Sequence, residues 1–123
     1  MSNVAIIEEI NKAIGTHGKW KLRLKTAIAL GSSDITPDKV RCDNLCEFGT
    51  WLYGPKISPD VRLGMPYKVI KRLHAEFHEF AAKIMQKALE GQAVVAKQLL
   101  DGEFKDKSET LVRALTKWKR ELQ

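Results

Sequence analysis

Apolar residues in this chain recur in alternating steps of four and three, a spacing that commits long stretches of it to helix. The first stripe reads Ile6, Ile10, Ala13, His17, Trp20, Leu24, Ala27. A second reads Ile70, His74, Phe77, Ala81, Ile84, Ala88, and a third Leu100, Phe104, Ser108, Leu111, Leu115, Trp118, Leu122. Such steps keep one helix face turned to a bundle core. The first predicted helix starts at Ser2 or Asn3, either of which suits an N-cap, and stops at Gly31. Ser32 to Pro37 reads as a loop. A short element follows over Asp43 to Tyr53, with Leu45, Phe48 and Leu52 as its apolar side and Gly54-Pro55 as its stop. Lys56 to Pro66 reads as loop with a helical turn after Ser58-Pro59. A third helix spans Pro66 to Glu90 and breaks at Gly91; the fourth runs to Leu122, with a bend or fray at Gly102. No segment alternates with period two. The expected fold is all-α: a four-helix bundle with an additional short helix carrying Cys46.

At 123 residues the chain fits a single domain, 1–123, large enough to bury a core without disulfides. A hydrophobic fraction of 44% argues against disorder, and no apolar run approaches the roughly 20 residues of a membrane span. Acids at Glu8 and Glu9 stand where a secretory leader carries bases, so a cytoplasmic location is expected. There Cys42 and Cys46, four apart, are free thiols or metal ligands. The net charge of +6 gathers in Lys19, Lys21, Arg23 and Lys25. That run reads as a solvated helix face ahead of a nucleic-acid-binding patch.

The chemistry rests on the histidines. His17 and His74 occupy stripe positions that call for apolar residues, and His78 lies one turn beyond His74 on the same face. A lone histidine of this kind is best read as a core residue satisfied by a hydrogen bond. Three of them, with a cysteine flanked by Leu45 and Phe48, are harder to explain that way. Burying four polar groups without partners is costly, and one divalent ion satisfies them all. Two or three imidazoles and a thiolate suit Zn2+, which takes four tetrahedral N and S donors. Gly49 would let the cysteine-bearing element approach its neighbours; Trp20 and Trp51 read as core packing that shields the donors.

Three blocks together carry a resemblance: His17-Gly18-Lys19-Trp20, Cys46-Glu47-Phe48-Gly49-Thr50-Trp51, and His74-Ala75-Glu76-Phe77-His78. In this order they resemble the signature of the chemoreceptor zinc-binding (CZB) domain family, over about residues 3 to 120. The resemblance implies a helical bundle with one zinc held by His17, Cys46, His74 and His78. It also implies a bacterial sensory domain, commonly a homodimer, that responds to zinc availability or to oxidants such as hypochlorous acid. Its implied partner is a chemoreceptor or diguanylate cyclase signalling module, in cis or in trans. Cys42 lies outside the motif; it is a bystander by preference, or a resolving thiol for oxidised Cys46.

A metal site closed by four protein donors leaves no position for a reactive water, so the expectation is a non-enzyme. Three other readings remain: a purely structural zinc, a basic nucleic-acid-binding domain, and an enzyme with Cys46 as nucleophile and a histidine as base. The last lacks an evident oxyanion site.

Overall fold

A computed structural model describes residues 3–123. These are 81% helical with no strand, the all-α class that the apolar spacing called for. The order is α1 (Asn3–Gly18), α2 (Trp20–Leu30), α3 (Pro37–Arg41), α4 (Glu47–Leu52), α5 (Pro59–Leu63), α6 (Met65–Leu89), α7 (Ala93–Leu99), a π-helical turn over Leu100–Phe104, and α8 (Lys105–Leu122).

Three long rods make the frame. The first is α1 continued by α2. The sequence reads as one helix here, but Lys19 interrupts it: its N–H donates to the Thr16 carbonyl at 3.2 Å, a tightened turn after Gly15 and Gly18. The buried stripe crosses the interruption unbroken, with Ala13, His17, Trp20 and Leu24 all in the core. The second rod is α6, which packs against α2, α3, α5, α7 and α8 and is the centre of the molecule. The third is α7, the π turn and α8. Gly102 falls inside that π turn, at the point where a bend or fray was expected. Gly31 and Gly91, with φ of 67° and 78°, end the helices before them as their positions suggest. Ser2 lies outside the described residues. Asn3 is the first described residue of α1, and its side-chain amide donates to the Leu122 carbonyl at 3.3 Å, joining α1 to the end of α8.

The short helices fill the remaining side of the frame. α3 and α5 begin alike, with Thr36-Pro37-Asp38 and Ser58-Pro59-Asp60. In each the hydroxyl accepts the backbone N–H three residues on, and proline occupies the first turn. α3 begins at the end of the loop read over Ser32 to Pro37, in a stretch for which no element was expected, and it packs along α6 with Val40 buried. α4 is shorter than the predicted Asp43–Tyr53 element. Cys46 is its N-cap, not an interior residue, and Leu45 is 62% exposed, so the apolar side of α4 is Phe48 and Leu52 alone. The Tyr67 hydroxyl, from α6, donates to the Leu52 carbonyl at 2.9 Å and fixes the end of α4 against the central rod. Lys19, which caps α2, and Lys21, Arg23 and Lys25 along it are all exposed, with the Arg23 guanidinium 4.2 Å from the Trp20 ring centroid. Among the described residues no helix is long and apolar enough to cross a membrane.

Leu111 is fully buried and Leu22 is 68% exposed. Leu111→Ala should therefore cost about 2–5 kcal/mol and Leu22→Ala less than about 0.5, read from urea unfolding midpoints. Equal losses would contradict this packing.

Candidate metal centre

His17 comes from the last turn of α1, Cys46 from the cap of α4, and His74 with His78 from the middle of α6. One donor atom from each lies within 4.8 Å of the others. The His74 Nε2 is the hub, 3.0 Å from the His17 Nε2 and 3.4 Å from the Cys46 Sγ. The three imidazoles are buried and the cysteine is half-buried. All four residues singled out in the sequence are thus brought together.

The outer nitrogens decide how the inner ones face. The His17 Nδ1 stands 2.8 Å from the Ala13 carbonyl, one turn back in α1. The His78 Nδ1 stands 2.9 Å from the Val40 carbonyl of α3. A carbonyl only accepts, so both Nδ1 atoms carry the proton and both Nε2 atoms present a lone pair to the centre. The His78 Nε2 is buried with no hydrogen-bond partner, and so is the His74 Nδ1. The nearest ionic group to that His74 Nδ1 is the Asp43 carboxylate at 3.9 Å, and the Tyr53 hydroxyl donates to the same carboxylate oxygen. Asp43, Val40 and Ala13 were not foreseen. Two contribute only a backbone carbonyl, and nothing in the sequence draws Asp43 to Tyr53.

Aromatic edges close the surroundings. Phe77 lies 5.1 Å from His17 and Phe48 5.1 Å from His74, centroid to centroid, both edge-on; Trp20 meets His78 the same way at 6.1 Å. Trp51 sits one layer farther out, between Phe48 and Trp118. Gly49 does allow a close approach, though to the preceding loop and not to another helix. A Cβ there would lie 1.7 Å from the Asp43 carbonyl oxygen. That contact leaves the Gly49 N–H 3.3 Å from the Cys46 Sγ, to which it donates.

Burial pushes the histidine pKa values down, to about 4 for His17 and about 2 for His74, and lowers that of His78. Burial also raises the Cys46 thiol, while the N–H groups of Gly49 and Phe48 pull it back and the Asp43 charge adds to the rise. The bare cluster is thus a set of neutral imidazoles and a thiol. Its facing lone pairs repel unless a proton or a cation lies among them. The residues fit a divalent cation such as zinc: three nitrogens and a sulfur, gathered within 4.8 Å of one another, with 3.0 and 3.4 Å at the His74 Nε2 against the about 3.3–3.6 Å of neighbouring donors in a tetrahedral N3S set. Cys42 is exposed at the end of α3, its thiol directed to the Asp38 carbonyl at 3.3 Å and outside the cluster.

A family model described as the chemoreceptor zinc-binding domain matches residues 17–85, a span that opens on His17 and includes Cys46, His74 and His78. The chain belongs to the chemoreceptor zinc-binding domain family. No curated protein and no solved structure matches it. A CZB domain is a zinc-binding domain, and the matched span covers α2, α3, α4, α5 and most of α6.

Two outcomes follow for this CZB domain. Gly49→Ala should destabilise it by about 1–3 kcal/mol, because the clashing atom is backbone and cannot turn aside; an unchanged melting temperature would contradict the close approach. In the metal-free protein the imidazoles protonate far more readily unfolded than folded. Their stabilising contribution is complete above about pH 6.5 and is lost as pH falls toward the lowered native values, by up to about 1.4 kcal/mol per pH unit for each imidazole. Melting temperatures of chelator-treated protein should drop between pH 7 and pH 5, and a flat profile would be inconsistent with buried neutral histidines.

Proposed function

We propose that this CZB domain is a sensory module in which His17, Cys46, His74 and His78 hold one zinc ion, and in which loss of the metal or oxidation of Cys46 is the signal. The observation that carries the reading is the convergence of four inward-facing donors from three separate segments, with the outer nitrogens of His17 and His78 already engaged. What a bound ion supplies is charge that holds the Cys46 sulfur as thiolate. Everything else is the protein's part. α1 and α6 set the imidazoles, and the aromatic edges exclude water.

A sensory role is favoured over catalysis because four protein donors complete the set and leave no position for a reactive water. It is favoured over a purely structural ion by the unequal mounting of the donors. Three histidines sit on long helices, whereas Cys46 caps a six-residue helix and is half-buried. The half-buried sulfur would be the donor most open to an oxidant. Hypochlorous acid would take the thiolate to sulfenic acid with release of chloride, a two-electron oxidation that removes the anionic donor. α4 would then be free to shift while α1, α6 and α8 stay packed. Consistent with the family, the domain would act as a homodimer and report to a chemoreceptor or diguanylate cyclase module.

Elemental analysis of the purified protein should find about one zinc per chain, removable by a strong chelator. His17→Ala and His78→Ala should lose it, and Cys46→Ala should bind more weakly without losing it, since three imidazoles remain. Hypochlorous acid should release zinc from the wild type and not from Cys46→Ala. Absence of zinc after reconstitution with reduced thiols would overturn the reading.

A further inference from the structure

His74 differs from its two neighbours in a way that matters for metal capture. The outer nitrogens of His17 and His78 are fixed by backbone carbonyls at 2.8 and 2.9 Å, which no substitution removes. His74 lies mid-helix in α6, wholly buried, and its Nδ1 has no hydrogen-bond partner. Its inner Nε2 meanwhile has two groups that would accept a proton from it, the His17 Nε2 at 3.0 Å and the Cys46 Sγ at 3.4 Å. Left to those contacts, His74 would carry its proton on Nε2, turn a donor toward the centre and have no lone pair there for a metal.

One feature opposes this. The Asp43 carboxylate faces the His74 Nδ1 at 3.9 Å and is itself held by the Tyr53 hydroxyl, which donates to the same oxygen. Asp43 is only 22% exposed in its side chain, so its charge is poorly screened there. At that separation the interaction is electrostatic and not a hydrogen bond. It favours an N–H dipole on Nδ1 and disfavours a lone pair there. A carboxylate behind a ligating histidine orients the ring and raises its basicity.

We propose that Asp43, held by Tyr53, is the positioning residue that keeps the His74 proton on Nδ1 and so turns the Nε2 lone pair toward the metal. The proposal rests on the zinc-binding reading above. Tyr53 belongs to the mechanism because its hydroxyl donates to the same Asp43 oxygen that faces His74, which holds the carboxylate in place there. The Asp43 backbone is fixed as well, by the approach of Gly49 to its carbonyl. Side chain and main chain of one loop residue thus govern two of the four donors, the His74 ring through the carboxylate and the Cys46 sulfur through the Gly49 N–H.

Competition against a chromophoric zinc chelator tests this with zinc alone as the probe. Asp43→Asn keeps the shape and a partner for Tyr53 but removes the charge. It should weaken zinc binding about 10–100-fold. The same substitution in a His74→Ala background should cost less than about 3-fold, because the residue it acts through is gone. A second measurement does not depend on metal: nitrogen-15 NMR of the chelated protein should show a smaller Nδ1–H fraction at His74 in Asp43→Asn than in wild type. An equal penalty with and without His74, or an unchanged proton distribution, would overturn the positioning role while leaving the zinc site standing. A wild type that binds no zinc would instead overturn the function reading.

Discussion

The structure turns on placing three neutral imidazoles in its core. Each sits where a bundle would ordinarily place leucine or isoleucine, and each brings two nitrogens that lose water on folding. An unpaired buried nitrogen costs about 1–3 kcal/mol, a large fraction of the stability of a domain this size. The cost is divided by position. The outer nitrogens of His17 and His78 are met by groups the fold already buries, the Ala13 carbonyl one turn back in the same helix and the Val40 carbonyl at the end of α3, while that of His74 faces the Asp43 carboxylate at 3.9 Å without a hydrogen bond. Inner nitrogens are gathered to one point, where a single cation can serve all of them along with a sulfur. Neither half suffices alone. Without the carbonyls the rings would be free to flip, and without the convergence the inner nitrogens would remain unpaired.

That division also explains the short helices. α3 adds little core of its own beyond Val40, yet it brings the carbonyl that holds His78. α4 brings Phe48 against two of the imidazoles and Cys46 as its own cap, where the free N–H groups of a first turn face the sulfur. The Tyr67 hydroxyl and the Leu52 side chain hold the far end of α4 to the central rod. The irregular side of the molecule is the side that builds the site, and the three rods are the frame on which it is mounted.

The rods were legible in the sequence because burial on a helix repeats. Every member of the stripes from Ile6 to Ala27 and from Ile70 to Ala88 is buried as the spacing implies. The four donors were legible for the same reason, since histidines on an apolar stripe and a cysteine between apolar neighbours stand out. What escaped has no periodic signature. α3 is five residues long, and its only mark is the Thr36-Pro37-Asp38 start it shares with α5. The limits of α4 were misjudged because Leu45 reads as core by composition, whereas Cys46 must leave the helix to act as its cap. The break at Lys19 depends on a local turn that leaves the stripe in phase. The outer contacts of the site were invisible because a backbone carbonyl has no letter in a sequence, and Asp43 meets Tyr53 only across ten residues of folded chain.

The four donors are not equivalent, and the difference is mechanical. His17, His74 and His78 are carried by helices of sixteen and twenty-five residues whose buried faces both pack against α8. Moving one of those imidazoles means sliding a rod against a close-packed core, which is opposed along its whole length. Cys46 is held through one turn of a six-residue helix, a glycine pressed against a loop carbonyl, and two N–H groups that favour a charged sulfur over a neutral one. The contacts that hold the sulfur are therefore partly the ones that respond to its charge. If the thiolate is lost to a proton or to oxygen, the attraction to the Gly49 N–H weakens at the same time as the attraction to a cation. Of all the elements around the centre, α4 has the fewest other reasons to stay where it is. In the proposed reading, a site with stiff imidazoles and one charge-dependent anchor would change its shape in one place, at the half-buried cysteine.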